Sequence, residues 1–132
     1  MNNQEIGKLG EDIAVKYLRK KGYRILDRNF EFRAAGRKKG ELDIVAKNKK
    51  EKTIVFVEVK TLDNKEQAFA PENRIDFKKK RSIAKTAEFW LLKNKIPLES
   101  KYQIDVISIR LDFQTRKAKI FYFQNAVGDR ER

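Results

Sequence analysis

The sequence predicts an α/β domain whose elements run helix, three strands, helix, two strands. Three observations lead there. Apolar residues near the N-terminus step by three and four, a nearly unbroken Val/Ile/Phe run lies in the middle, and the helical step returns after it. At 132 residues the chain has room for one domain with a modest core.

Residues 3–21 form the first helix, with Ile6, Leu9, Ile13, Ala14, Tyr17 and Leu18 on one stripe. Gly22 fits the left-handed stop after it, and Lys20 and Lys21 sit in the last turn. Residues 23–30 read as a strand diluted by Asp27 and Asn29, and residues 31–39 as a basic, flexible loop. Residues 40–47 carry Leu42, Ile44, Val45 and Ala46. Residues 53–60 carry Ile54, Val55, Phe56, Val57 and Val59, a run suited to a strand buried on both faces. The polar stretch 47–52 between them has hairpin length. The second helix spans 72–94, with Ile83, Ala84, Ala87, Trp90, Leu91 and Asn94 in step and Pro97 beyond its end. Strands 103–111 and 117–123 close the domain, 1–126, and residues 127–132 form a loose basic tail.

Lys and Arg number 32 against 19 Asp and Glu, a net charge of +13, and charged residues make up 39% of the chain. High charge with low hydrophobicity also marks disorder, but nine Phe, four Tyr and one Trp in periodic runs argue for a folded basic domain. The chain has no Cys and no His, which excludes disulfides, thiolate zinc sites, cysteine nucleophiles, histidine bases and imidazole ligands. A metal must be held by oxygen, which favours Mg²⁺, Mn²⁺ or Ca²⁺. No signal peptide and no run of membrane-spanning length is present, so a cytoplasmic protein without a membrane partner is expected.

Glu58 interrupts the apolar strand and is followed two residues later by Lys60, on the same strand face by alternation. A charge there is costly unless it is paired or binds a metal, so the plainest reading is a strand end where Glu58 and Lys60 pair or reach water. The spacing itself is weak evidence, since Asp63, Asp76 and Glu99 also have Lys two residues on. Context separates Glu58. In a hairpin of 40–47 with 53–60, Asp43 comes close to it, and two converging carboxylates repel unless a cation or proton intervenes. Mg²⁺ is the simplest such cation, and Lys60 beside it would stabilise charge developing on a phosphate.

Asp43, fourteen residues, then Glu58-Val59-Lys60 resembles the PD-(D/E)xK nuclease motif. The whole chain resembles the YraN family of endonuclease-like bacterial proteins. The matching segments are Gly7-x-x-Gly10-Glu11-x-x-Ala14, Gly22-Tyr23-Arg24-Ile25-Leu26, Arg28-Asn29, Gly40-Glu41-Leu42-Asp43 and Val55 to Thr61, with Lys79, Ala87 and Asp105-Val106 after them. The resemblance implies a restriction-endonuclease-like fold, a mixed central sheet flanked by helices, similar to archaeal Holliday-junction resolvases. It implies Mg²⁺ or Mn²⁺ on Asp43 and Glu58, a catalytic Lys60, and Glu11 joining the acidic cluster. DNA, branched DNA included, is the implied partner; RNA and a homodimer stay open. Gln103-Ile104 and Leu62 depart from the family's usual residues without touching the metal set.

Other residues invite two readings. Glu41 shares a strand face with Asp43 and is a supporting acid or an exposed one; Asp105 suggests a structural pair with a base such as Lys79. Gly7 and Gly10 inside a helix suggest close packing. Arg37, Lys38 and Lys39, with Lys78, Lys79, Lys80 and Arg81, are candidate nucleic-acid contacts, though four adjacent cations on a helix cannot all face one way. The expected activity is metal-dependent phosphodiester hydrolysis on DNA. The rivals are a weak or inactive binding module of the same fold and a basic RNA binder whose acids are incidental.

Overall fold

The two apolar stripes settle against opposite faces of one sheet, since each helix has one apolar side and each central strand has two. The computed structural model describes residues 1–63 and 77–126. Helix α1 (Asn3–Lys20) is followed by strands β1 (Tyr23–Ala34), β2 (Arg37–Asn48) and β3 (Ile54–Asp63). Helix α2 (Phe77–Lys93), β4 (Tyr102–Asp112) and β5 (Lys117–Phe123) complete the chain. The order matches expectation. The five strands lie in sequence order, β1-β2-β3-β4-β5. All pairs are antiparallel except β3–β4, which is parallel and is spanned by the connection that carries α2, as a parallel pair requires. This is the mixed central sheet flanked by helices.

Ala14, Val15 and Leu18 of α1 pack on Ile44, Ala46, Val55, Val57, Ile107 and Ile109. Ile83, Ala87, Trp90 and Leu91 of α2 pack on Val45, Phe56, Ile104 and Val106. Alternation along β3 therefore feeds both cores, as the apolar run 53–60 suggested. Asn2 caps α1: its side chain accepts from the Glu5 N–H at 2.8 Å and Glu5 returns a bond to the Asn2 N–H. Gly22 takes φ +92° where the helix stops.

Two expectations change, and two lie outside the described residues. Residues 31–39 are a strand hairpin rather than a loop, with Phe32 paired to Gly40 and Ala34 to Arg37. The turn residues Ala35 (φ 53°) and Gly36 (φ 74°) are both left-handed, the conformation a two-residue hairpin turn requires. Phe32 also stacks on Phe89 at 4.2 Å, so the hairpin has an apolar side to hold it down. Helix α2 is seen from Phe77, and the expected start at 72 lies outside the described residues, as does the tail 127–132. Gly7 has open space where a Cβ would stand, so it makes no close approach.

Gly10 and Gly40 do. A Cβ on Gly10 would meet Thr61 Oγ1 at 1.9 Å, and one on Gly40 would meet Thr86 Oγ1 at 2.0 Å. These contacts press α1 onto β3 and α2 onto β2, the two strands that build the site below. Among the described residues no helix is long and apolar enough to cross a membrane.

Candidate functional site

Strands β2 and β3 pair only from Lys47–Ile54 to Ile44–Val57. Beyond Val57, β3 stays paired with β4 as far as Asp63–Leu111, while β2 turns away. The two strands fork, and the first residues past the last pair are Asp43 and Glu58. The fork strips β3 of backbone partners on one edge. Asp43 supplies one: its Oδ2 accepts from the Val59 N–H at 2.8 Å.

Strand β1 is irregular at the same level. Arg28 pairs with Ile44 and Phe30 with Leu42, but the ladder skips Asn29, which sits at φ 52°. Asn is among the few residues that tolerate this left-handed conformation. From there Asn29 Nδ2 donates to Glu11 Oε1 at 2.8 Å, and Arg28 Nη2 donates to Asp12 Oδ1 at 2.7 Å. The Arg28-Asn29 pair thus fixes α1 beside the fork. A cleft of about 320 Å³ opens there, lined by Glu11, Asp43, Glu58, Val59, Thr61 and Asp63 among others.

The electrostatics of the cleft are unfavourable by design of its walls. Burial pushes the Asp43 carboxyl up, and Glu58 beside it pushes it further; the Val59 N–H opposes them, Glu11 and Glu41 add to the rise, and the result is about 8. The Glu58 side chain is only 11% exposed, and Lys79 Nζ stands 3.0 Å from its Oε1. Glu58 holds the Lys79 ammonium above its ordinary range, against the opposing effect of burial. Glu41, half-buried, pairs with Lys38 at 2.5 Å.

The structure brings Glu11, Asp43 and Glu58 to one cleft. Lys60 follows two residues after Glu58 and turns, by strand alternation, to the α2 side with it. Arg37, Lys38 and Lys39 are exposed on the β1–β2 hairpin. Lys79, Lys80 and Arg81 lie in the opening turns of α2, and the side chain of Lys78 lies outside the described residues. One pairing is corrected. Glu58 is held by Lys79, and Asp105, the expected partner of Lys79, is held elsewhere. Asp105 is fully buried and accepts from the Tyr122 hydroxyl, from Gln103 Nε2 at 2.9 Å and from the Asn125 N–H at 2.7 Å.

Sequence reasoning named Lys79 as a nucleic-acid contact but missed its pairing with Glu58, and it missed Asn29 as the anchor of Glu11. A signal existed for Lys79: it lies four residues before Ile83 and seven before Thr86, on the buried stripe of α2 continued outward.

The donor set fits a hard divalent ion. Mg²⁺ commonly takes one or two protein carboxylates and keeps several waters, and Asp43 and Glu58 offer those carboxylates. Among the described residues no cluster of three or more acids is closed into a ready metal cage, since Glu11 is turned to Asn29. The crowding that lifts Asp43 is what a dication would relieve.

The family model described as "Uncharacterised protein family UPF0102" matches residues 10–109. The chain is 45% identical over 120 residues to a UPF0102 protein of Persephonella marina, covering 91% of this chain and 90% of the relative. It is 39% identical over 127 residues to a UPF0102 protein of Caldicellulosiruptor bescii, covering 96% and 99%. A UPF0102 protein of Alkaliphilus oremlandii is 40% identical over 126 residues, covering 94% and 98%. Glu11, Asp43, Glu58, Lys60 and Lys79 all fall inside the matched span. With a family model over most of its length and full-length relatives at this identity, the chain belongs to the UPF0102 family.

Proposed function

We propose that the fork between β2 and β3 is the active site of a divalent-metal-dependent nuclease that hydrolyses phosphodiester bonds in DNA. One observation carries this: Asp43 and Glu58 meet where the strands part, crowded enough that Asp43 is lifted to about 8. Converging carboxylates, of which Lys79 pairs with Glu58 alone, are what a bound dication requires and what a pure polyanion binder does not. The net charge of +13 supports an anionic polymer as substrate.

Asp43 and Glu58 would hold Mg²⁺ or Mn²⁺. Bound there, the ion supplies Lewis-acid polarisation of a phosphate and a water made more acidic. The chain's own residues do the rest. Asp43 is oriented by the Val59 N–H, and Glu11 borders the cleft from α1. Lys60 stabilises negative charge as it develops on the phosphate, a contribution made mostly in the transition state. Exposed Arg37, Lys38, Lys39 and Arg81 hold the backbone without reading sequence.

The test is cleavage of labelled four-way, flapped, single-stranded and duplex DNA with Mg²⁺ or Mn²⁺. Wild type should cut at least one of them. Glu58→Gln should abolish cutting with affinity intact or tighter, and Lys60→Met should slow it by on the order of a hundredfold while affinity stays within a few-fold. Binding without cutting under either metal contradicts the proposal and leaves a DNA-binding module. Lys60→Met cutting at the wild-type rate removes Lys60 from it.

A further inference from the structure

Glu11, Glu41 and Glu58, the acids around Asp43, each have a side-chain partner. Asn29 on β1 takes Glu11, Lys38 at the hairpin takes Glu41, and Lys79 on α2 takes Glu58. The third pairing differs from the others in where its two ends lie. Glu58 is 11% exposed and anchored in the sheet, while the Lys79 side chain is 53% exposed. The lysine reaches in from the surface along the inward stripe of α2, and its ammonium stands 3.0 Å from an oxygen of Glu58, which lines the cleft.

A dication held by Asp43 and Glu58 would compete with Lys79 for the Glu58 oxygens and repel its ammonium across a few ångströms. The glutamate is fixed by its strand, so the lysine is the group that moves. A long, half-exposed stem with rotatable donors permits it. The nearest new anion would then be the phosphate brought by the substrate, which an ammonium contacts as a point charge.

We propose that Lys79 is a transferable cation: it neutralises Glu58 when no divalent ion is bound, and passes to a substrate phosphate when one takes Glu58. Metal loading thereby releases a phosphate contact, coupling metal to DNA affinity through one side chain. The inference rests on the metal-site reading above and adds to it a residue that the Asp43, Glu58 and Lys60 set lacks.

The experiment measures affinity for a labelled four-way DNA junction by anisotropy, in EDTA and in Ca²⁺, a dication of the same oxygen chemistry that ordinarily permits binding without turnover. The proteins are wild type, Lys79→Met, Lys79→Arg, Glu58→Gln and the Glu58→Gln, Lys79→Met double variant. In EDTA, Lys79→Met should change affinity by less than about twofold. In Ca²⁺, or with Glu58→Gln in EDTA, removing Lys79 should cost about fivefold, the scale of one charge-assisted contact. Lys79→Arg keeps the charge and should restore most of that loss.

Calorimetric Mn²⁺ titration supplies a readout without DNA: Lys79→Met should bind Mn²⁺ several-fold more tightly than wild type. If Lys79→Met costs the same in every condition, or Mn²⁺ affinity is unchanged, the transferable cation is overturned while the metal site is untouched. If Ca²⁺ has no effect while Glu58→Gln exposes the Lys79 contribution, the metal-driven transfer is overturned through failure of the metal reading, an outcome distinct from a failure of Lys79 itself. Absence of junction binding in all conditions overturns the transfer to phosphate.

Discussion

Asp43 and Asp105 lie close together on one sheet, yet they are treated in opposite ways. Asp105 pairs across the parallel ladder with Val57, the residue just before Glu58. Both carboxyls are withdrawn from water and both are raised above the ordinary carboxylate range, burial being the first cause in each. Around Asp105 the remaining influences all pull back: Tyr122, the Asn125 N–H and Gln103 donate to it. Around Asp43 one N–H pulls back, while Glu58, Glu11 and Glu41 push further up. Burial alone therefore does not mark a functional acid. A buried acid ringed by donors is a structural joint, and one ringed by other acids is a place prepared for a cation or a proton.

Breaking the satisfied member should give the largest loss of stability at fixed pH. Asp105→Ala takes the buried acceptor from a half-buried tyrosine hydroxyl, a half-buried amide and a backbone N–H, and should cost about 3 kcal/mol by urea denaturation. The DNA cleavage of the molecules that remain folded should change little. Asp43→Asn in EDTA should cost no stability, since it removes repulsion while an amide oxygen still accepts from Val59. A comparable loss from both variants would erase the distinction.

The comparison sharpens with pH. Folded Asp43 holds its proton far more tightly than the unfolded chain does, whose carboxyl titrates near the ordinary 3.8. Between those values the folded state binds more protons, so stability contributed by Asp43 is present below about 3.8 and is lost as pH rises toward about 8. In EDTA, wild type should therefore lose stability between pH 5 and roughly pH 8. Asp43→Asn should flatten that slope, and Asp105→Asn should leave its upper part in place. Equal slopes in wild type and Asp43→Asn would place the crowding elsewhere.

A smaller effect tests how the acids are brought together. Gly10→Ala drives a methyl into Thr61 and should cost about 2 kcal/mol, as overpacking does. Adding Thr61→Ala should recover part of it, because the two nearest obstructing atoms are Thr61 Oγ1 and Cγ2. No recovery would mean that the α1–β3 contact at Gly10 does not set the helix's distance from the fork.

Much of this architecture is legible in the sequence, for identifiable reasons. Periodicity exposes α1, β3 and α2 because each buries a continuous apolar pattern. Asp43 and Glu58 stand out because each interrupts such a pattern on strands short enough in connection to pair. The hairpin 31–39 hides because Ala35-Gly36 lacks the Asn-Gly signature and because five charges obscure the alternation of Phe30 and Phe32. The tie between Lys79 and Glu58 hides for a different reason. The two residues stand on either side of the whole β3–α2 connection, and four adjacent cations read as a solvated face. The joint at Asp105 hides because its partners, Tyr122 and Asn125, come from the last strand and the turn beyond it. Contacts made by non-local pairing leave no local mark on the chain.

The contrast between the two aspartates comes down to whether the fork holds a dication, and Mn²⁺ titration followed by calorimetry measures that directly. Wild type should show saturable binding that the Asp43→Asn, Glu58→Gln variant lacks, with the Asp105→Asn variant still binding as wild type does. Identical isotherms for wild type and the double variant would contradict the account, because the crowded pair would then hold no metal at all.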